Sequence, residues 1–515
     1  MGYFLKKTRN KKGLYLQIYE SHWDPQKGHT VNKSVRAVGY EHELRESGIA
    51  DPIAHFKDEV ARMNEERKAS LEATKASEIS DIPPVRHLGH FAIKAIDDAL
   101  GTAADLALLQ LPSGLPFSLA DLLPSLVYAR AVAPCSKTGT FHDVLPLMEG
   151  VESTFSLDQL CDGLSYLGEE YEKVIEAYNA RVAKSFGHDT SATYLYHTNL
   201  YFEAGREDPY KEPESMVSIG LLLDADCVPM GMSVLPGNEG ARLQPEEVTS
   251  LHRERNAVEG RTVRAANRLL NCADAVNAGD GYLFSNSLET LEDTELAWAL
   301  SPDGWHDVVD ERGGLLWRYK ETVGDFTYKV EGPDGKHRDR TFREKRVMTY
   351  NSNPTTGYDM LVTSETKMGA REIYSAYHNL QEIEESFLAM EPELDAQPAF
   401  LQRQSTVTGY LLVCYLTVLL LRLLQVHVLG DKFSTKDVID LCRGLNVVRA
   451  SERKYVNISK RTPLIEELAK RTGLPLLKLD LNKGDVRSIA NCSLAQLPST
   501  NEPSSPAKKR SSKRS

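Results

Sequence analysis

Carboxylates, His197 and seven cysteines are the side chains here whose types and places could support chemistry. Glu384 lies in an acidic run, EIEESFLAMEPELD, whose spacing alone describes a solvated helix face. Asp224 and Asp226 stand in DADCVP, between two strand-like segments, where aspartate commonly serves turn formation. Asp189, Asp274 and Asp280 stand close to neighbouring segments. His197, beside Thr198 and Asn199, has the character of a general base. No His or Cys stands at catalytic spacing from it, so a packed or hydrogen-bonded histidine is expected. The cysteines (Cys135, Cys161, Cys227, Cys272, Cys414, Cys442, Cys492) include no C-x-x-C pair. Neither a disulfide framework nor a zinc site is expected from them; small buried thiols are.

These side chains must be positioned by elements that the hydrophobic pattern outlines. LYLQIYESHW alternates, and Pro25 to Gly28 offers a turn before VNKSVRAVGY, which predicts short strands over residues 3–40. Ile53, Phe56, Val60 and Met63 recur at helical spacing over Asp51 to Lys75, and Pro83-Pro84 marks a break. Residues 85–186 read as almost wholly helical, with Ser156 and Gln159 spaced as a capping box. Strands are then predicted over Thr193 to Phe202, Val217 to Leu223 and Met230 to Leu235, the last two forming a hairpin. A helix is expected over Glu246 to Ala257, followed by an apolar segment, Thr262 to Ala266. LLWRYKE, FTYKV and RTFREKRVMTY predict separate strands around the Pro333-Asp334-Gly335 turn. From Arg371 onward the pattern is helical, with turns at Pro392 and Pro398.

A length of 515 residues predicts three or four structural units. The longest apolar run, Tyr410 to Leu421, is shorter than the roughly 18 to 20 residues of a membrane span, so a buried core helix is expected. MGYFLKKTRNKKG has no apolar signal region, and a cytoplasmic protein with no membrane partner is expected. The net charge of −12 disfavours nucleic acid as a general partner. Its distribution points the other way locally: residues 1–40 hold eight Lys or Arg against Glu20 and Asp24, a balance of +6. A second basic cluster, Lys508, Lys509, Arg510, Lys513 and Arg514, closes a Ser- and Pro-rich tail expected to be disordered. Basic ends on an acidic body fit local phosphate contacts.

DTSATYLYHTNLYFE, from Asp189 to Glu203, closely resembles the first catalytic strand of DDE-type insertion-sequence transposases, D-T-S-x-x-Y-Y-D-x-T-N-Y-Y-F-E. TVRAANRLLNCADAV, Thr262 to Val276, resembles the segment V-V-A-D-K-G-L-N-C-A-D-N-I, with LNCAD fixing the register. YHNLQEIEESFLAM resembles Y-x-x-[RL]-W-x-I-E-x-x-F-R-x-x-K. GLLLDADCVPMGMSVLPGNEG, VYARAVAPCSKTGTFHDVLP and the N-terminal segment extend the likeness over most of the chain.

The resemblance, to the insertion-sequence-four-like superfamily, implies an α/β catalytic core, RNase H-like with a β-rich insertion. It also implies a small N-terminal β-containing domain and a helical domain. The segments then sort as a basic DNA-binding region over 1–80, a helical domain over 81–186, and a core over 187–290 and 356–430. An insertion over 291–355, a C-terminal helical region over 431–496 and the tail over 497–515 complete the expected plan. The implied partners are double-stranded DNA and the terminal inverted repeats of an element, paired by a homodimer. The expected phosphate-contacting residues are Lys6, Lys7, Arg9, Lys11, Lys12, Lys33 and Arg36.

In that family three carboxylates hold two divalent ions, Mg²⁺ by preference, because hard cations take oxygen ligands. Here Tyr196 and Asn267 occupy two of the matching positions, and Glu384 alone is retained. A single carboxylate supplies about −1 where about −3 would offset two divalent ions. Bringing a tyrosine from a pKa near 10 to 7 costs about 4 kcal/mol, and an asparagine offers only a weak carbonyl. Leu388 and Glu391 replace basic residues, and the basic loop after the first strand is shortened to Gly205 through Pro213. The expectation is a transposase-family protein defective in cleavage. The alternatives are an active enzyme with relocated carboxylates and a non-catalytic oligomerising scaffold. Asp189, one candidate for relocation, lies roughly 23 Å of extended chain before Tyr196 and could not share its site.

Overall fold

Apolar–polar alternation folds the N-terminus into three antiparallel strands, β1 (Tyr3–Asn10), β2 (Gly13–Asp24) and β3 (His29–Tyr40), ordered β1-β2-β3. They are longer than the short strands expected, because the alternation continues through ESHW and its partner segment. Helices α1 (Glu41–Glu46) and α2 (Pro52–Ala76) follow, and α2 lies across one face of the sheet. Asn64 exchanges two hydrogen bonds with the Tyr3 backbone at 2.8 and 2.9 Å, and Arg67 pairs with Glu20 at 2.8 Å. Leu16, Ile18, Phe56 and Val60 are the buried apolar residues described in this unit, Met1–Pro83. The computed structural model describes residues 2–24, 29–76, 83–201, 216–236, 258, 260–265, 270–310, 313–331, 336–350, 357–390 and 404–497.

The second unit, Pro84–Ser515, is mixed α/β with two sheets. Strand β4 (Val85–His87) opens it, followed by α3 (Phe91–Leu100), α4 (Ala103–Gln110), α5 (Leu119–Val132), α6 (Leu157–Glu169) and α7 (Tyr171–Ser185). The capping box of Ser156 and Gln159 forms at the start of α6. The large sheet begins with β5 (Ala192–Tyr201), β6 (Met216–Leu223) and β7 (Pro229–Pro236), an antiparallel meander. β8 (Arg261–Ala265) then pairs parallel with β5. Helix α8 (Leu270–Asn277) carries the chain back to β9 (Gly281–Asn286), which pairs parallel with β8.

After α9 (Asp293–Leu300), the strands β10 (His306–Val309), β11 (Leu315–Glu331), β12 (His337–Tyr350) and β13 (Tyr358–Thr363) extend the same sheet. Its order is β10-β11-β12-β13-β9-β8-β5-β6-β7. LLWRYKE and FTYKV, expected as separate strands, are one 17-residue strand paired without a break to β12. β13, not expected from the sequence, is what joins the 315–350 strands to β9.

Helices cover both faces of this sheet. Tyr194, Tyr196, Val263, Leu283 and Leu361 pack into the main core, whereas Tyr282, Phe284, Met360 and Val362 form a smaller core with α8 and α9 residues. The main core is shared with α10 (Ala370–Met390) and α11 (Gln404–Leu423), every residue of α11 from Val407 to Leu423 being buried. Residues 404–428 are long and apolar enough to cross a membrane, yet the whole apolar window is enclosed by the fold.

The chain then forms α12 (Thr435–Gly444), β14 (Asn446–Ser451), β15 (Lys454–Asn457), α13 (Pro463–Thr472), β16 (Asp480–Asn482) and α14 (Lys483–Ala490). Residues 85–186 are almost wholly helical as expected, with β4 the one described strand, whereas the expectation of helix beyond Arg371 is corrected here by β14, β15 and β16. β16, β15, β14 and β4 make a four-stranded sheet, with Val447 opposite Arg86. Its strands are three to six residues long and are stabilised by partners distant in sequence, so local periodicity carries little trace of them. The expected helix at Glu246 to Ala257, the turns at Pro25, Pro333, Pro392 and Pro398, and the tail from residue 498 lie outside the described residues.

Candidate functional site

The register of two parallel strands fixes the centre of the candidate site. Leu195 of β5 lies opposite Arg264 of β8, so Tyr196 comes beside Ala265, the last residue of β8. Asn267, two residues farther on, lies outside the described residues, as do Glu391 and the loop Gly205 to Pro213. The side chains of His197 and Asp274 also lie outside them. Tyr196 is 5% exposed, and its ring belongs to the main core together with Tyr194, two residues earlier on the same face.

Glu384 lies on α10, whose Leu380, Ile383 and Phe387 enter that same core. Glu384 itself is half-buried and makes no ion pair among the described residues. Its charge is felt by Tyr377, two helical turns earlier, whose phenol is raised by burial and then by the charge of Asp359. Glu382 turns to the other side of the helix. It accepts from Gln425 at 3.0 Å and Thr435 at 2.9 Å, and lies 3.7 Å from Arg422. The resemblance thus points to Glu384, and this network engages Glu382 instead. Leu388, at the position of a family arginine, is 49% exposed.

Asp189, Asp224, Asp226 and Asp280, the described candidates for relocated ligands, stand in surroundings of their own. Asp224 follows β6, and because Leu223 pairs with Tyr194, it sits toward the start of β5 rather than its end. Its Oδ1 accepts from the backbone of Asp226 and Val228, and its Oδ2 lies 3.0 Å from His188 Nδ1. Asp226 is raised by burial and by the charge of Asp224. Asp189 accepts from the Ser191 backbone before β5 begins. Asp280 precedes β9 and is held in a buried ion pair with Arg264 at 2.7 Å. Asp189, Asp224 and Asp280 therefore stand level with the starts of the parallel strands β5 and β9, whereas Tyr196 lies farther along β5, beside the end of β8.

Two devices were missed by sequence reading. His188, Asp224, Asp226 and His427 cluster beside Arg422, with His427 lowered by burial against the raising charges of Asp226 and Asp224. Arg422 ties this group to Gln425, at 2.9 Å, and to the carbonyl of Asp226. No sequence spacing announces that cluster. A second buried carboxylate, Asp97, accepts from Tyr128 at 2.6 Å and Tyr178 at 3.2 Å, and burial pushes it up to about 6. It was detectable: Asp97 continues the buried stripe of Ile93 and Leu100, a polar residue at a core position.

The chain matches no known protein-family model and no curated protein.

Among the described residues, the donor set does not fit a pair of divalent ions. A buried phenol stands where the resemblance implies a carboxylate, and each described substitute either lies at the other end of the strands or is already paired. Among the described residues, no three His, Cys, Asp or Glu side chains are grouped to hold a metal ion.

The basic N-terminal residues do not form one surface. Lys6, Lys7, Arg9, Lys11, Lys12, Lys33 and Arg36 are all exposed. Lys7 and Arg9 pair across from Leu16 and Leu14, and Arg36 from Ile18, so these three face α2. Arg36 is paired with Glu59 at 2.7 Å. Lys6 faces the other way, and its Nζ stands 4.6 Å from the Tyr19 ring centroid. Arg9 also lines a cavity of about 530 Å³ with Glu41, His42 and Arg45, residues the sequence reading did not select.

Proposed function

We propose that this chain is a transposase-type DNA-binding protein, built on an RNase H-like core, that has lost strand cleavage and transfer. The observation that carries this reading is the burial of Tyr196 in the main core at the position of a metal-binding carboxylate. The strand order supports the fold assignment. A meander of three strands, β5 to β7, is followed by two strands parallel to the first, β8 and β9, then by a β-rich segment and a long helix bearing Glu384. An RNase H-like sheet with an insertion has this arrangement.

The binding half of the proposal rests on the basic N-terminal strands, and its targets are element ends in duplex DNA of the cytoplasmic nucleoid, paired by a homodimer. Mg²⁺ has no catalytic part in it, since the residues at the site do not suit two ions.

The test incubates purified protein with a labelled element end in Mg²⁺ or Mn²⁺ and scores binding and nicking separately. The expected result is salt-dependent binding without nicking. Nicking that disappears with Glu384→Gln would establish an active enzyme with relocated carboxylates. Absence of any salt-dependent preference for the end would leave the scaffold reading in its place.

A further inference from the structure

We infer that the face of the N-terminal sheet opposite α2 is a base-reading surface for the major groove of duplex DNA. The inference rests on the DNA-binding reading above and assigns it a face and a groove. Side chains alternate along a strand, and residues paired across an antiparallel ladder share a face. Arg67 of α2 lies 5.3 Å from the Tyr3 ring centroid and pairs with Glu20, which marks the α2 side. The opposite side therefore carries the pairs Phe4–Tyr19, Lys6–Gln17 and Thr8–Tyr15, with Ser34 and Ala37 of β3 across from Tyr19 and Gln17. Lys6, Thr8, Ser34 and Ala37 are exposed in the whole chain.

The chemistry of this face suits base edges. Lys6, Thr8, Gln17 and Ser34 offer hydrogen-bonding groups, and no carboxylate shares the face among these paired positions. Lys11 and Lys12, at the β1–β2 turn, stand at its end and supply positive charge for phosphate. Size decides the groove. Three strands about 4.8 Å apart span roughly 10 Å, which fits a major groove about 12 Å wide but not a minor groove about 6 Å wide.

The aromatic residues do not make this a platform for single strands. Phe4 and Tyr19 pack against each other with centroids 5.9 Å apart, and Tyr15 meets Tyr40 edge-on at 4.8 Å. With Lys6 over the Tyr19 ring as well, these rings are partnered within the sheet, whereas base stacking needs an open π-face. The rings stiffen the surface that presents Lys6 and Gln17.

The test selects duplexes from a random-sequence library with the full-length protein, then measures binding across a salt series. An enriched duplex should lose about 10- to 100-fold in affinity with Lys6→Ala or Gln17→Ala, and binding to unselected duplex should change little with Gln17→Ala. Lys7→Ala, on the α2 face, should change the affinity for enriched and unselected duplexes by the same factor, leaving only their ratio unchanged. Lys11→Ala with Lys12→Ala should weaken all duplexes alike and reduce the salt slope by about 2. Guanine N7 methylation should block binding, and a minor-groove drug should not. An enriched duplex bound equally well by both face variants, or preferred as a single strand, would overturn this inference while leaving the DNA-binding reading intact. No salt-dependent binding to any duplex would overturn both.

Discussion

Leu195 and Arg264 are partners in the parallel β5–β8 ladder, and that pairing sets Tyr196 beside the end of β8. On the proposed reading that position belongs to a metal-binding carboxylate, but the Tyr196 ring is part of the main core. Simple reversal should therefore fail. Tyr196→Asp removes a buried ring, a loss of about 3–5 kcal/mol by analogy with large-to-small aromatic substitutions, and buries an unpaired charge as well. The expected outcome is a large fall in the denaturant midpoint, with Tyr196→Phe close to wild type. Tyr196→Asp with Asn267→Asp should not nick element-end DNA in Mg²⁺. A folded, nicking double variant would show that the framework still holds an open metal site.

The buried Arg264–Asp280 pair makes a second prediction. Both side chains are at most 5% exposed; the guanidinium donates through Nε to Asp280 Oδ2 at 2.8 Å, and Nη2 lies 2.7 Å from the same oxygen. Asp280→Asn leaves the cation without a counter-charge and should cost about 3–5 kcal/mol. Arg264→Met with Asp280→Leu removes both charges and should recover most of that loss. Urea unfolding of the two singles and the double gives the coupling directly. Near-additive losses would mean that the ion pair is not the unit acting here.

Much of the framework was legible because its elements are long or strongly patterned. The strand through Tyr194 and Tyr196, the Met230 hairpin and the apolar Tyr410 helix all follow from local periodicity. The small sheet was not legible, since β4 and β14 meet across some 360 positions through three paired residues. The nine-stranded order was hidden likewise, because β13 reaches β9 through a pairing that no adjacent turn dictates. At the site, motif likeness singled out Glu384 where spacing alone could not separate it from Glu382. What the motif could not give was the sidedness of β1 to β3. Exposure and basicity grouped Lys6 with Lys7, and only the ladder register separates them.

Close helix packing provides a third prediction. α6 and α11 approach through Gly168 and Gly409. A Cβ on Gly168 would lie 1.7 Å from the Ser405 carbonyl oxygen, and one on Gly409 would lie 1.9 Å from that of Leu164. Both obstacles are backbone, which cannot swing aside as a side chain can. Ser165 and Ser405, hydrogen-bonded across the same interface at 2.8 Å, would separate as the helices part. Gly168→Ala and Gly409→Ala should each destabilise by about 3 kcal/mol, the upper end for overpacking. This reverses the usual gain from glycine to alanine in a helix interior. Thermal unfolding of each variant checks it, and an unchanged midpoint would mean that the helices can move apart freely.

The last prediction concerns pH and two buried groups whose effects oppose each other. Burial holds Asp97 up at about 6, and it holds His90, whose ring stacks on Tyr128, down at about 3. Asp97 binds its proton more readily folded than unfolded. Its contribution is therefore complete below its unfolded value near 4 and is lost as pH rises through about 6, a swing of about 3 kcal/mol at most. His90 is neutral when folded. Its contribution is complete above its unfolded value near 6.5 and is lost as pH falls toward 3. Between pH 4 and 6 the two slopes have opposite signs and partly cancel. Asp97→Asn can still accept from Tyr128 and Tyr178, and it removes only the first slope. The variant should be more stable than wild type above pH 7, and the gap should close as pH falls to 4. Its own stability should drop more steeply with acid, since Asp97 no longer offsets His90. Urea titrations at half-unit steps from pH 4 to 8 measure both effects, and a constant gap between the two proteins would show that Asp97 does not change its charge in this range.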